Sequence, residues 1–258
     1  MKDLLLEVQA LSKSFGGLKA IDHLSFQVQR GDIKSIIGPN GAGKTTLFNL
    51  ITAIHEPTAG KVVFEGQSLE KKKPHQIARL GISRTFQTVE LFSQMTVLEN
   101  VMVGFHLRTS SGIMGSGLRW ARCRREEKMI LEEAQKMLVF GDLVAKAHLP
   151  AGSLPFGEQK RLEVLRALAT KPKLLLMDEP AAGLNEVETE KMAETIYEIR
   201  ESGVTVVLVE HDMSLVMKVS DEILVLNYGQ KIAEGQPQAI QQDRLVIEAY
   251  LGAGAEYA

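Results

Sequence analysis

Cysteine is almost absent from this chain: Cys123 stands alone among 258 residues. No disulfide can form within it, and a lone thiol reads as a free side chain in a reducing compartment rather than as a redox centre. Long apolar runs are also missing. The strongest, 173–177 and 204–209, are of strand length, far short of the roughly 20 residues that span a bilayer. The N-terminus carries Asp3 and Glu7, which does not fit a secretory signal. By itself the chain is expected in the cytosol, reaching a membrane only by docking onto another protein. Excess charge of one sign is lacking too. The 30 Lys and Arg against 32 Asp and Glu leave a net charge of −2, which argues against a nucleic-acid partner held by gross basicity. There are no internal repeats and no long low-complexity tracts.

What is present is ordinary globular composition, 45% apolar and 24% charged, with length enough for a substantial core. Short β-rich runs at 4–8, 24–28 and 33–37 are separated by Gly16-Gly17 and Arg30-Gly31-Asp32, which supply turns. A Gly-rich loop follows at 38–43, then a helix expected over 44–54, and a strand over 61–64. From about 88 to 170 the apolar spacing turns helical, at 97–105, 126–139 and 159–169. Between the first two helices, 109–125 is rich in Gly, Ser and Arg and too long for a simple connector. It is expected as an insertion or a flexible loop. After 173 strands and helices alternate: strands at 174–177, 204–209 and 223–226, and a helix over 186–200. That alternation predicts a parallel sheet with helices on its faces.

Three segments carry chemistry. Gly38-Pro39-Asn40-Gly41-Ala42-Gly43-Lys44-Thr45-Thr46 fits the phosphate-binding pattern G-x-x-x-x-G-K-[ST] between a strand and a helix. Its glycines let backbone N–H groups turn toward phosphate oxygens, and the helix N-terminus adds partial positive charge. Lys44 would neutralise the β- and γ-phosphates and the Thr45 hydroxyl would ligate Mg²⁺. Next, the apolar strand 174–177 delivers Asp178 and Glu179 to its C-terminal end, the edge where open α/β sheets bind ligands. Asp178 suits Mg²⁺ and Glu179 the attacking water. Alone, that pair could be a plain acidic turn; beside a phosphate loop it reads as catalytic. Third, His211 follows a buried strand, where a histidine is commonly structural but is here placed to meet a γ-phosphate. Gln87, after a strand-like stretch, could reach the metal or the water.

In this order the motifs resemble those of the nucleotide-binding subunits of ATP-binding cassette (ABC) transporters, over nearly the whole chain. The resemblance implies an α/β P-loop fold: a mainly parallel sheet, an N-terminal antiparallel β subdomain and an α-helical subdomain. It implies one ABC ATPase domain over 1–258, with the core in 1–87 and 171–258 and the helical subdomain in 88–170, which carries an insertion at 106–128. Phe15 matches the aromatic that stacks on adenine, 38–46 the Walker A loop, Gln87 the Q-loop, 174–179 Walker B, 181–185 the D-loop and His211 the switch histidine. Leu154-Pro155-Phe156-Gly157-Glu158 takes the place of the signature Leu-Ser-Gly-Gly-Gln. Segments 84–87, 106–128, 179–185 and 246–252 further resemble the ATPase subunit of branched-chain amino-acid importers that has a long insertion. Implied partners are a second ATPase subunit, two membrane permeases and an extracytoplasmic solute-binding protein, with the chain peripheral on the inner membrane face. No nucleic acid is implied. A lipid or lipopolysaccharide exporter ATPase is the alternative, though such relatives usually keep the signature serine and lack the insertion.

In the family, two such domains bind ATP head to tail, each site joining one chain's Walker A to the other's signature. Here Pro155 stands where a serine would donate to the γ-phosphate, and it has neither hydroxyl nor N–H. Either this weakens the site built on that segment, giving an asymmetric heterodimer, or Gly157 and the helix dipole suffice. Phe156 replaces a glycine, and Asn185 an aspartate whose loss would loosen the dimer contact. The arginines 108, 119, 122, 124 and 125 around Trp120 read as a solvated basic loop or helix, or as a dock for a permease or anionic lipid. Residues 88–100 are expected, by the same resemblance, to form part of the groove that receives a permease helix.

Overall fold

The computed structural model describes residues 3–105 and 120–254. Two sheets and a helical layer organise it. The first sheet is antiparallel, in the order β2-β1-β4-β5, from β1 (Leu4–Phe15), β2 (Leu18–Gln29), β4 (Ala59–Phe64) and β5 (Gln67–Ser68). The second runs β10-β9-β3-β8-β7-β6, from β3 (Ile33–Ile37), β6 (Ile82–Arg84), β7 (Leu174–Asp178), β8 (Thr205–Val209), β9 (Glu222–Asn227) and β10 (Gln230–Gly235). Its strands are parallel except β10, which closes one edge antiparallel to β9. The strands β3, β7 and β8 are buried at every residue, as near-continuous apolar runs covered on both faces must be.

One core lies between the two sheets and takes in Leu47, Phe48, Leu50 and Ile51 of α1 (Lys44–Ile51). A second fills the opposite face of the parallel sheet, under α6 (Glu186–Glu201) and α7 (Met213–Val219). A third sits inside the helical layer, between α3 (Val97–Gly104), α4 (Trp120–Phe140) and α5 (Phe156–Ala169). The helices α3 and α5 cross closely at Gly104: a Cβ there would lie 2.3 Å from the Arg166 carbonyl oxygen. The short α2 (Pro74–Leu80) packs by β6, while α8 (Pro237–Gln241) and α9 (Arg244–Gly254) close the β9–β10 edge.

The architecture is the expected one; β1 and β2 run longer than the expected 4–8 and 24–28, and two helix ends differ for identifiable reasons. Helix α1 stops at Ile51, not 54. The Thr52 hydroxyl donates back to the Phe48 carbonyl at 2.7 Å, and Ala53 turns left-handed at φ 56, which ends the helical run. Helix α4 begins at 120, so 120–128 of the expected insertion is helical. Its first turns are Arg- and Glu-rich, good helix formers without apolar periodicity, so no hydrophobic spacing announced them. Residues 106–119, with Arg108 and Arg119, lie outside the described residues. Among the described residues no helix is long and apolar enough to cross a membrane.

Candidate functional site

The parallel sheet brings the loops after β3, β6, β7 and β8 together at the C-terminal ends of its strands. The loop after β3 holds the phosphate-binding motif. Gly38 has φ 152, and a Cβ on it would lie 2.1 Å from the Leu226 carbonyl oxygen; a Cβ on Gly43, φ 102, would lie 2.5 Å from that of Ala20. Only glycine fits at these two positions. Pro39 and Asn40 continue the turn, Gly41 has φ 79, and the Ala42 N–H closes onto the Pro39 carbonyl at 3.1 Å. Lys44, Thr45 and Thr46 open α1. The Lys44 ammonium bends back over the loop and donates to the carbonyls of Gly38 at 2.6 Å and Pro39 at 3.1 Å. Burial pulls its pKa below the ordinary lysine value, against the opposing pull of Glu179 and Asp178. Thr45 is exposed. Phe15, at the β1–β2 turn, is exposed and meets His55 edge-on at 5.3 Å.

The loop after β7 places the acidic pair. Asp178 is 2% exposed and ion-paired through Oδ2 to Arg84 at 2.7 Å, while its Oδ1 has no hydrogen-bond partner. Glu179 takes the left-handed conformation, φ 51, with its N–H tied to the Val209 carbonyl at 2.9 Å. A left-handed non-glycine residue is strained by about 1–3 kcal/mol and persists where surroundings dictate it. The twist aims its carboxylate at the loops after β6 and β8. Gln87 Nε2 donates to Glu179 Oε2 at 2.8 Å, and His211 Nε2 lies 3.0 Å from the same oxygen. Thus Gln87, Glu179 and His211, spread over 125 residues of sequence (211 minus 87 plus 1), converge on one atom.

Comparisons with known proteins give this geometry a context. The family model "ABC transporter" matches residues 21–182, and a second, "Branched-chain amino acid ATP-binding cassette transporter", matches 230–256. The chain belongs to the ABC transporter ATP-binding family. Among its relatives, the high-affinity branched-chain amino acid transport ATP-binding protein BraF of Pseudomonas aeruginosa is 43% identical over 96% of this chain and 98% of its own. LivG of Escherichia coli K12, named for the same transport, is 43% identical over 98% and 99%. A solved nucleotide-free ATP-binding cassette from an ABC transporter superposes with a TM-score of 0.83 at 35% identity, over 96% of this chain and 98% of that one. Another cassette, in its ADP conformation, gives 0.83 at 34%, over 96% and 99%. This is an ABC ATPase.

As an ABC cassette, the chain has segment 154–158 where the sequence predicts the signature, and its contacts run to the helical layer and α6. Among the described residues no hydrogen bond or ion pair joins 154–158 to 38–46. Leu154 is buried in the helical layer and Pro155 is the N-cap of α5, with no side-chain cap. The Phe156 ring lies across the D-loop, 3.0 Å from where a Cβ on Gly183 would be. Gly157 backs onto the Glu188 carboxylate, and Glu158 is ion-paired to Lys146. A cavity of about 670 Å³ opens between this segment and α6. Asn185, flagged by sequence as a weak D-loop residue, is the N-cap of α6, sharing a reciprocal box with Glu188.

Three site residues went unassigned at the sequence level. Arg84 grips Asp178 and Asn49, packed between the rings of Phe48 and Phe86. Glu210 accepts N–H bonds from Ala181 at 2.7 Å, His211 at 3.0 Å and Asp212 at 3.3 Å, and burial pushes its pKa up. Lys160 reaches the Gln87 and Glu179 backbones. Arg84 sat inside the segment 84–87 and Glu210 directly before His211; their charge at a buried strand end was the available signal. The oxygen donors Thr45, Gln87 and Asp178 could hold a hard cation, and the partnerless Asp178 Oδ1 fits Mg²⁺.

Proposed function

We propose that the chain is the ATP-hydrolysing subunit of an importer of branched-chain amino acids. It works beside a second ATPase on the inner face of the membrane, docked on two permeases served by an extracytoplasmic binding protein. The names and full-length identity of its relatives support the solute and the membrane partners. The observation that carries the ATPase reading is the meeting of Gln87, Glu179 and His211 at one carboxylate oxygen. The P-loop amides and Lys44 bind the phosphates, and Phe15 lies against the adenine. Thr45, Asp178 and Gln87 would hold Mg²⁺, which would screen the phosphate charge when bound. Gln87 releases Glu179, His211 turns to the γ-phosphate, and the freed carboxylate takes the proton of the attacking water.

The second ATP site would pair the partner's Walker A with this chain's 154–158. Without the serine hydroxyl that site loses a charge-assisted bond of about 1.5–3 kcal/mol, and turnover becomes asymmetric. Glu179→Gln in the assembled transporter is then expected to lower ATP turnover and leucine uptake into proteoliposomes at least about 100-fold, the scale of a lost general base. Turnover near half of wild type would contradict the asymmetry. A wild-type complex that hydrolyses ATP but moves no branched-chain amino acid would overturn the solute.

A further inference from the structure

Three ionisable side chains recur on one face of α5 at three-residue spacing: Lys160, Glu163 and Arg166. All three point at the Q-loop segment. Glu163 is buried and accepts from the Phe86 N–H at 3.2 Å, with the Glu90 backbone as a further donor. The Arg166 guanidinium lies 5.7 Å from the Phe92 ring centre. Lys160 goes deepest. It is 2% exposed, and its ammonium donates to the carbonyl of Gln87 at 3.0 Å and to that of Glu179 at 3.1 Å, with the Phe156 ring centre 5.8 Å away. Among the described residues no carboxylate lies within ion-pair distance of it. Burial draws its pKa down.

A buried ammonium hydrogen-bonded to carbonyls alone is costly to keep, even with the charges of Glu163, Glu210, Glu179 and Asp178 favouring it, and an apolar side chain of the same length would fill the space. Its position explains its presence. One cation spans the backbone of the two residues whose side chains meet at Glu179 Oε2. It fixes both to the helix that opens at the signature segment.

We propose that Lys160 is a positioning residue for ATP hydrolysis, setting the Gln87 and Glu179 backbones relative to the signature helix. This rests on the reading of Glu179 and Gln87 given under Proposed function. The test compares wild type, Lys160→Gln and Lys160→Met in the assembled transporter. It uses steady-state ATP hydrolysis, nucleotide affinity of each purified full chain by a fluorescent ATP analogue, and thermal melting. Lys160→Met is expected to lower kcat about tenfold with KM and nucleotide affinity within twofold of wild type. Its Tm is expected to stay within about 4 °C, the shift of ~1 kcal/mol in a chain of this size. Lys160→Gln, which keeps N–H donors on a shorter stem, falls between. Should Met substitution destroy the fold, the Gln variant alone carries the same comparison. A kcat unchanged in both variants overturns the proposal, as does a loss of nucleotide affinity and melting temperature in step with kcat, which marks a structural role. If Glu179→Gln leaves turnover intact, the site reading itself fails; if that variant is dead while Lys160→Met is active, only the positioning role does.

Discussion

Glu210 faces three backbone N–H groups with two carboxylate oxygens, and neither oxygen is spare. A glutamine there must turn its NH₂ toward at least one N–H. Hydrogen bonds to a charged group are worth about 1.5–3 kcal/mol each, so Glu210→Gln is expected to destabilise the chain by roughly that amount, read by denaturant unfolding. It should also loosen His211, whose N–H it holds, and lower kcat severalfold while ATP affinity stays near wild type. An unchanged kcat would show that His211 is positioned without it. The neighbouring residues illustrate what sequence could reveal at this scale. Asp178, Glu179 and His211 were legible because each follows a buried strand within a recognisable string. Arg84 and Lys160 were not, since their partners lie 94 and 19 residues away along the chain and only the fold brings them together.

Helix α5 shows how one element serves two sites. It opens at Pro155, whose φ of −53 and ψ of 151 suit an N-cap, yet no side chain caps the helix. Serine at an N-cap is worth about 1 kcal/mol over an uncapped residue, whereas losing proline costs about 0.4–1 kcal/mol through the unfolded chain. These nearly cancel, so Pro155→Ser is expected to leave the melting temperature almost unmoved. Its effect belongs to the trans site: restoring the hydroxyl should raise turnover of the assembled transporter up to about twofold as the second site joins. Equal turnover before and after would mean that Gly157 and the helix dipole already suffice. Elements were read from sequence where apolar periodicity was strong, as in β7, β8 and α5. The C-terminal end of α1 and the start of α4 were misplaced because a side-chain turn at Thr52 and a polar helical run leave no hydrophobic trace.

For the whole molecule the question is how two chains would meet. The P-loop, with Lys44, and the segment 154–158 make no polar contact with each other among the described residues, and in the head-to-tail arrangement proposed above each γ-phosphate is met by the loop of one chain and the segment of the other. Nucleotide phosphates, attracted by loop amides on one chain and by the α5 N-terminus on another, would supply the charge that joins two cassettes. Stable association commonly needs roughly 1,200–2,000 Å² of buried surface, and ATP bridging two half-sites adds affinity that ADP, lacking the γ-phosphate, does not. A Glu179→Gln chain mixed with the second ATPase proposed above is therefore expected to form a one-to-one dimer in Mg-ATP, measured by light scattering after gel filtration. The dimer should part in ADP, and EDTA should reverse it by stripping the cation for which Thr45, Gln87 and Asp178 are the proposed ligands. A dimer equally stable without nucleotide or metal would place the driving force in the protein surfaces instead, and the head-to-tail sandwich would lose its physical basis.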